Sequence, residues 1–192
     1  MNNGNPLERN PWIRKSSEII YTNPWITVRE DRVIRPDGEP GVYGVVDTRV
    51  ATGAVAITPT MDVYLVGQYR YPTEGYSWEI IEGGTDEGET PLECIRRELR
   101  EEAGLIAQKW TPLGGEVHLS NCISSENGYL FLAEDLEETE PEPEATEVLQ
   151  IRRVPFAEAL AMTDEGEITD AISIMGLLLA ERYLRRHRDW RP

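Results

Sequence analysis

Between Gly83 and Leu105 the chain reads GGTDEGETPLECIRRELREEAGL, and this string constrains local structure more tightly than any other in the sequence. Thr90 is a good N-cap, Pro91 suits the first helical position, and Glu93 falls where a capping-box partner reaches back. Leu92, Ile95, Leu99 and Ala103 recur at helical spacing and predict a buried stripe. Gly104 stands just past the last periodic residue, where a left-handed backbone is best served by a residue without Cβ. On the remaining surface Glu98 and Glu102 are one turn apart, and Glu101 lies beside both. Carboxylates crowded in this way repel and take up protons unless a cation sits between them. A solvated acidic face would require neither the glycine-flanked entry nor a fixed spacing to Glu89. Hard divalent cations such as Mg²⁺ prefer oxygen ligands of this kind. Arg97 is placed to hold Glu89 and its neighbours by charge-assisted hydrogen bonds.

Gly83 is followed after five residues by Glu89, and after seven more by Arg97-Glu98-Leu99, then Glu101-Glu102, Gly104 and Leu105. Every fixed position of the G-x5-E-x7-R-E-U-x-E-E-x-G-U box is present, U being aliphatic, and the chain resembles a Nudix hydrolase. That resemblance implies Glu98 and Glu102 as principal metal ligands, with Glu101 as a further ligand or a water-orienting group. It also implies the backbone carbonyl of Glu82 as a ligand; similar chains often carry Ala there, but a carbonyl ligand does not depend on the side chain. The implied cofactor is Mg²⁺, with Mn²⁺ able to substitute. In similar enzymes a glutamate from a later loop acts as general base, and Glu147 and Glu144 occupy the matching region. Glu147 is preferred because it immediately precedes a strand. Cys94 is a poor nucleophile candidate, since acidic helix neighbours raise a thiol pKa.

The remaining pattern is β-rich. Residues 17–34 alternate around Asn23-Pro24, and Val42–Thr48 reads as a hairpin partner beyond the Pro36-Asp37-Gly38 turn. Strands are expected at Ala54–Thr58, Val63–Tyr69, Trp78–Ile81, Trp110–Leu113, Gly128–Ala133 and Leu149–Val154. Helices are expected at Pro155–Thr163 and Asp170–His187, while Glu137–Glu144 reads as an acidic loop. This order fits an α+β sandwich with helices covering a mixed sheet, in agreement with the α/β/α Nudix fold. Residues 1–48 are expected to form a small N-terminal β-subdomain, and 49–192 the Nudix domain. Similar nucleoside diphosphate sugar hydrolases use such a segment to form a homodimer.

The formal net charge of −16 excludes a general nucleic-acid binder, which needs a basic footprint. No apolar stretch is long enough to span a bilayer and no signal pattern opens the chain, so a cytoplasmic protein without membrane association is expected. Two cysteines, Cys94 and Cys122, are expected as reduced thiols.

Flanking stretches narrow the substrate. Gln68-Tyr69-Arg70 and Trp78-Glu79-Ile80 resemble segments of ADP-ribose and other nucleoside diphosphate sugar pyrophosphatases, as does Gly166-Glu167-Ile168-Thr169-Asp170 before the last helix. The expected reaction is hydrolysis of a phosphoric anhydride bond in a nucleoside diphosphate sugar, ADP-ribose foremost. The alternatives are a GDP-mannose-type enzyme, a dinucleoside polyphosphate or RNA 5′-end pyrophosphohydrolase, and a non-catalytic ADP-ribose sensor. Arg70 is the candidate for gripping a phosphate through its planar fork. Glu79 is either a substrate acceptor or half of a structural salt bridge. Trp25 is either a base-stacking surface or a core or dimer aromatic. Ser120 and Glu126 sit in the stretch where these enzymes have a substrate-side loop.

Overall fold

The computed structural model describes residues 9–142, 148–188 and 190–191. Its residues up to Arg49 group with Ser120–Glu126, and Val50–Leu119 group with Asn127 onward. The alternating N-terminal segment forms an antiparallel sheet of β1 (Ile13–Thr22), β2 (Ile26–Ile34) and β3 (Pro40–Thr48), in that order. Asn23 makes the first turn, its side-chain oxygen accepting from the N–H groups of Trp25 and Ile26, each at 2.8 Å; this is how Asn replaces a backbone turn. The Ser120–Glu126 segment packs on β3: Val46 donates to the Ile123 carbonyl and Ser125 to that of Val46, both at 3.0 Å. Read in sequence, this segment belongs with the later domain; by contact it belongs with the N-terminal strands.

The second unit contains two sheets. One is ordered β7-β4-β10-β8, from β4 (Ala51–Ala56), β7 (Ile81–Gly84), β8 (Leu105–Pro112) and β10 (Asn127–Glu138), with the short β9 (Val117–His118) added to β10. The β4–β10 pair is parallel and its neighbours antiparallel, making the sheet mixed. The other is an antiparallel sheet ordered β11-β5-β6, from β5 (Asp62–Arg70), β6 (Gly75–Glu79) and β11 (Gln150–Pro155). Helices α1 (Pro91–Ala103), α2 (Phe156–Asp164) and α3 (Ala171–His187) complete the unit.

Strand alternation creates two cores. Ala54 and Ala56 of β4 face one side with Ile81, Ile95, Leu99, Leu105 and Val66, which is the α1 side. Val55 of β4 faces the other with Leu65, Ile80, Leu132, Phe156 and Leu177, the side of α2 and α3. β4 is buried from Thr52 to Ala56, as expected of a strand covered on both faces. The architecture is therefore the expected α+β sandwich with a mixed sheet between helices.

Among the boundaries that differ from the sequence reading, three have a clear cause. Trp78–Ile81 is two strands, because the chain leaves one sheet after Glu79, which opposes Val66, and joins the other at Ile81, which opposes Ala54. β8 begins directly at Leu105, since Gly104 turns the helix end straight into the sheet. The acidic run at Glu137 continues β10 through Glu138, because pairing with β8 outweighs its weak strand propensity.

Candidate active site

Helix α1 is capped as its sequence requires. Thr90 Oγ1 accepts from Glu93 N–H at 3.3 Å, and Glu93 Oε2 accepts from Thr90 N–H at 2.9 Å, closing the capping box. Gly104 ends the helix at φ 60°, and a Cβ there would lie 2.5 Å from the Thr139 carbonyl oxygen. The buried stripe contains Ile95, Leu99 and Ala103 as expected; Cys94 is fully buried in it, whereas Leu92 is only partly covered.

With that stripe fixed, Arg97 and Glu98 face the glycine loop, where several carboxylates cluster. Arg97 gathers them. Its Nε and Nη2 grip Glu89 at 3.0 Å each, a bidentate pair. Its Nη1 donates to Glu98 Oε1 at 2.7 Å and to Glu101 Oε2 at 3.1 Å. These bonds, first that to Glu89, hold Arg97 protonated far above neutral pH, and Arg97 in turn lowers the Glu89 pKa. Glu102, one turn beyond Glu98, is 6% exposed.

The loop side is equally fitted. Gly83 lies against Glu98 so closely that a Cβ would sit 2.2 Å from Glu98 Cγ and 2.3 Å from its Oε1. This close approach admits only glycine. Thr52 Oγ1, on β4, donates to the Gly83 carbonyl at 3.1 Å. Glu82 points its side chain to the opposite face of β7, where its Oε1 accepts from Ser173 Oγ of α3 at 2.6 Å. Burial, and then the neighbouring Asp170 charge, raise its carboxyl well above the usual range.

Among the described residues, no three acidic, histidine or cysteine side chains close on one centre as they would around an ion. Glu89, Glu98 and Glu101 converge on Arg97 instead. In donor chemistry the group nevertheless fits a hard divalent cation: oxygen donors only, with Glu98 and Glu101 on the helix beside a glycine whose missing side chain makes room for the Glu98 carboxylate.

The other expected site residues fall into three sets. Arg70 and Glu79 are brought together: Arg70 Nε bonds Glu79 Oε1 at 2.9 Å, and Nη2 contacts Oε2. The Glu79 side chain is 3% exposed and that of Arg70 41%, so the acid is interior and the guanidinium reaches solvent. The bond to Glu79 raises the Arg70 pKa. Trp25, 69% exposed, belongs with Ser120 and Glu126 to the N-terminal unit. The Ser120 carbonyl accepts from the N–H groups of Ile123 and Ser124 at 3.1 and 2.9 Å, and Glu126 N–H donates to Ser124 Oγ at 3.3 Å. Glu144 and Glu147 lie outside the described residues.

Sequence reasoning missed the side-chain role of Glu82 and its partner Ser173. The Asp170-x-x-Ser173 spacing of a helix N-cap was the available signal, since Asp170 Oδ2 accepts from Ser173 N–H at 2.7 Å. It also named only the acidic neighbours as the cause of Cys94 inertness and missed burial. The thiol is pushed up to about 11, first by burial and only then by the Glu98 and Glu89 charges.

A NUDIX domain model matches residues 47–173. The chain belongs to the Nudix family. A second model, the nucleoside diphosphate sugar hydrolase N-terminal domain, matches residues 12–46. The chain is 34% identical to an ADP-ribose pyrophosphatase of Mycobacterium tuberculosis over 166 residues, covering 85% of this chain and 80% of that protein. A GDP-mannose pyrophosphatase of Yersinia enterocolitica is 34% identical over 132 residues, covering 64% of this chain and 68% of its own. The crystal structure of an ADP compounds hydrolase superposes with a TM-score of 0.83 at 24% identity, covering 93% of this chain and 97% of that one; at that identity it establishes the fold. Together these identify a Nudix pyrophosphohydrolase of the nucleoside diphosphate sugar type.

Proposed function

We propose that this Nudix enzyme hydrolyses ADP-ribose to AMP and ribose 5-phosphate. The observation that carries the reading is the gathering of Glu89, Glu98 and Glu101 on Arg97, with Glu98 packed against Gly83 and Glu102 buried one turn beyond it. Extended likeness to ADP-ribose pyrophosphatases, over most of both chains, supports the choice of sugar nucleotide.

Glu98 and Glu102, with Glu101 and the main-chain carbonyl of Glu82, are the residues that would hold Mg²⁺ or Mn²⁺. Such a cation, when bound, neutralises pyrophosphate charge and acidifies water. The chain's own contribution is positioning. Arg97 fixes the carboxylates so that they need no reorganisation when the anionic substrate arrives. Arg70 presents a guanidinium anchored on Glu79 toward solvent, where it can meet a phosphate oxygen. Glu147, or Glu144 in its place, takes the proton from the attacking water. No covalent intermediate is required, because Cys94 is buried and protonated. Ser120 and Glu126 stand in the stretch expected on the substrate side, and Trp25 serves either as a base-stacking surface or as a dimer aromatic.

The N-terminal sheet is proposed as a homodimer surface. Ile13, Ile19, Ile20, Tyr21 and Trp25 are all more than half exposed, an apolar set that a monomer rarely leaves in water. Light scattering at micromolar concentration should give twice the chain mass; a monomer would remove this part of the reading. The free thiols suit a cytoplasmic enzyme. Among the described residues no helix is long and apolar enough to cross a membrane.

The deciding experiment is chromatographic product analysis with Mg²⁺ and a panel of ADP-ribose, GDP-mannose, ADP-glucose, diadenosine polyphosphates and nucleoside triphosphates. ADP-ribose should be cleaved fastest. GDP-mannose ahead of it would establish the second reading, which the Yersinia relative favours. Glu102→Gln should lower turnover by several orders of magnitude with its unfolding temperature preserved; near wild-type turnover would sink the ligand assignment.

A further inference from the structure

Where the chain crosses from β6 to β7, Ile80 leaves both ladders, and its buried N–H would have no strand partner. An orphaned buried donor costs about 1–3 kcal/mol. Ser173, fully buried in the first turn of α3, accepts that N–H at 3.0 Å. The same hydroxyl donates to Glu82 Oε1 at 2.6 Å. Ser173 is itself fixed by its N–H bond to the capping Asp170 at 2.7 Å. One hydroxyl thus binds the residue before Ile81 and the residue after it.

The next residue along, Gly83, is held from elsewhere, by Thr52 on its carbonyl and by Glu98 against its Cα. Side chains alternate along β7, so the Glu82 carboxyl lies on the α3 face while Gly83 meets α1. Only the main chain of Glu82 remains available to the acidic cluster. Its position is set by the β4 ladder, in which it opposes Gly53, and by the two side-chain anchors on either side, Thr52 and Ser173.

We infer that Ser173 is a positioning residue for the divalent-cation centre, acting from the far face of the sheet through Ile80 and Glu82. The inference rests on the reading above, in which the Glu82 carbonyl is a ligand. In this chain the Glu82 side chain also orients the relay: by accepting the Ser173 proton, it turns a hydroxyl lone pair toward Ile80 N–H. The carboxyl is a tether and not a ligand.

The test is Mn²⁺ binding by electron paramagnetic resonance of free Mn²⁺, without substrate, on wild type, Ser173→Ala, Ser173→Thr, Glu82→Ala and Glu102→Gln. Loss of a partner that orients a metal ligand typically weakens affinity about 10–100-fold, so Ser173→Ala should raise the Mn²⁺ Kd about tenfold. Its kcat should fall while the KM for ADP-ribose stays near wild type. Ser173→Thr, which keeps the hydroxyl, should restore both. Glu82→Ala, which keeps the Ile80 bond, should fall between. Wild-type Mn²⁺ affinity in Ser173→Ala, with binding lost in Glu102→Gln, would overturn the role of Ser173 and leave the metal assignment standing. Unchanged affinity in Glu102→Gln would instead overturn the assignment itself. If circular dichroism shows Ser173→Ala unfolded, Glu82→Ala decides, and wild-type affinity there overturns the relay.

Discussion

Arg97 illustrates how much one side chain can organise. Its five N–H donors serve Glu89, Glu98 and Glu101, a task that depends on a planar fork and not on charge alone. Arg97→Lys keeps the charge but can bond bidentately to none of them. We expect its kcat to fall at least about tenfold, in line with losses at residues that orient ligands, measurable by steady-state kinetics at saturating Mg²⁺. Gly83→Ala should be as damaging, because its Cβ would occupy the space of the Glu98 carboxylate. The cysteines offer a chemical check. Cys122 is exposed and Cys94 buried with its thiol pushed up to about 11. A thiol reagent at neutral pH should label one cysteine in the folded protein and two after denaturation; rapid labelling of both would contradict the packing of α1.

At the scale of the element, α1 is stabilised by its ends as much as by its stripe. Thr90→Ala removes the cap and should cost about 1 kcal/mol, lowering Tm by about 2–4 °C for a chain of this size. Gly104→Ala should cost more, since φ is positive and Thr139 blocks the added Cβ. Acid should act on the same helix. Glu93 has its pKa lowered, chiefly by the Thr90 hydroxyl, and Glu89 by Arg97. With folded values below unfolded ones, the unfolded chain binds more protons on acidification. The stabilisation is therefore complete above the ordinary glutamate range and is lost as pH falls through the folded values. Thermal melts across that range should show Tm falling, with a shallower fall in Glu93→Gln; parallel curves would argue against the capping contribution.

For the whole molecule, the dominant quantity is the net charge of −16, which repels an anionic sugar nucleotide. Raising ionic strength from about 10 mM to about 150 mM shortens the Debye length from about 30 Å to about 8 Å. At saturating Mg²⁺ the KM for ADP-ribose should consequently fall with added salt. A rising KM would show that local attraction, by Arg70 and its surroundings, outweighs the global field.

What the sequence by itself determined was everything set by local periodicity and by spacing within one helix. The caps of α1, most of its buried stripe, the neighbourhood of Glu98, Glu101 and Glu102, and the need for glycine at position 104 all follow from a rise and a repeat that neighbouring residues impose on one another; the need for glycine at 83 comes from the approach of Glu98. The alternation of β-rich segments likewise gave the α+β class. Only the tertiary structure decided the rest, because it depends on residues distant in the chain. The strand at Trp78–Ile81 splits because two sheets compete for it. Arg70 finds Glu79 across adjacent strands, and the Ser120–Glu126 segment joins strands that precede it by many residues. Ser173 meets Ile80 and Glu82 because α3 folds back across the sheet, and no spacing rule links a serine to a strand break some ninety residues away.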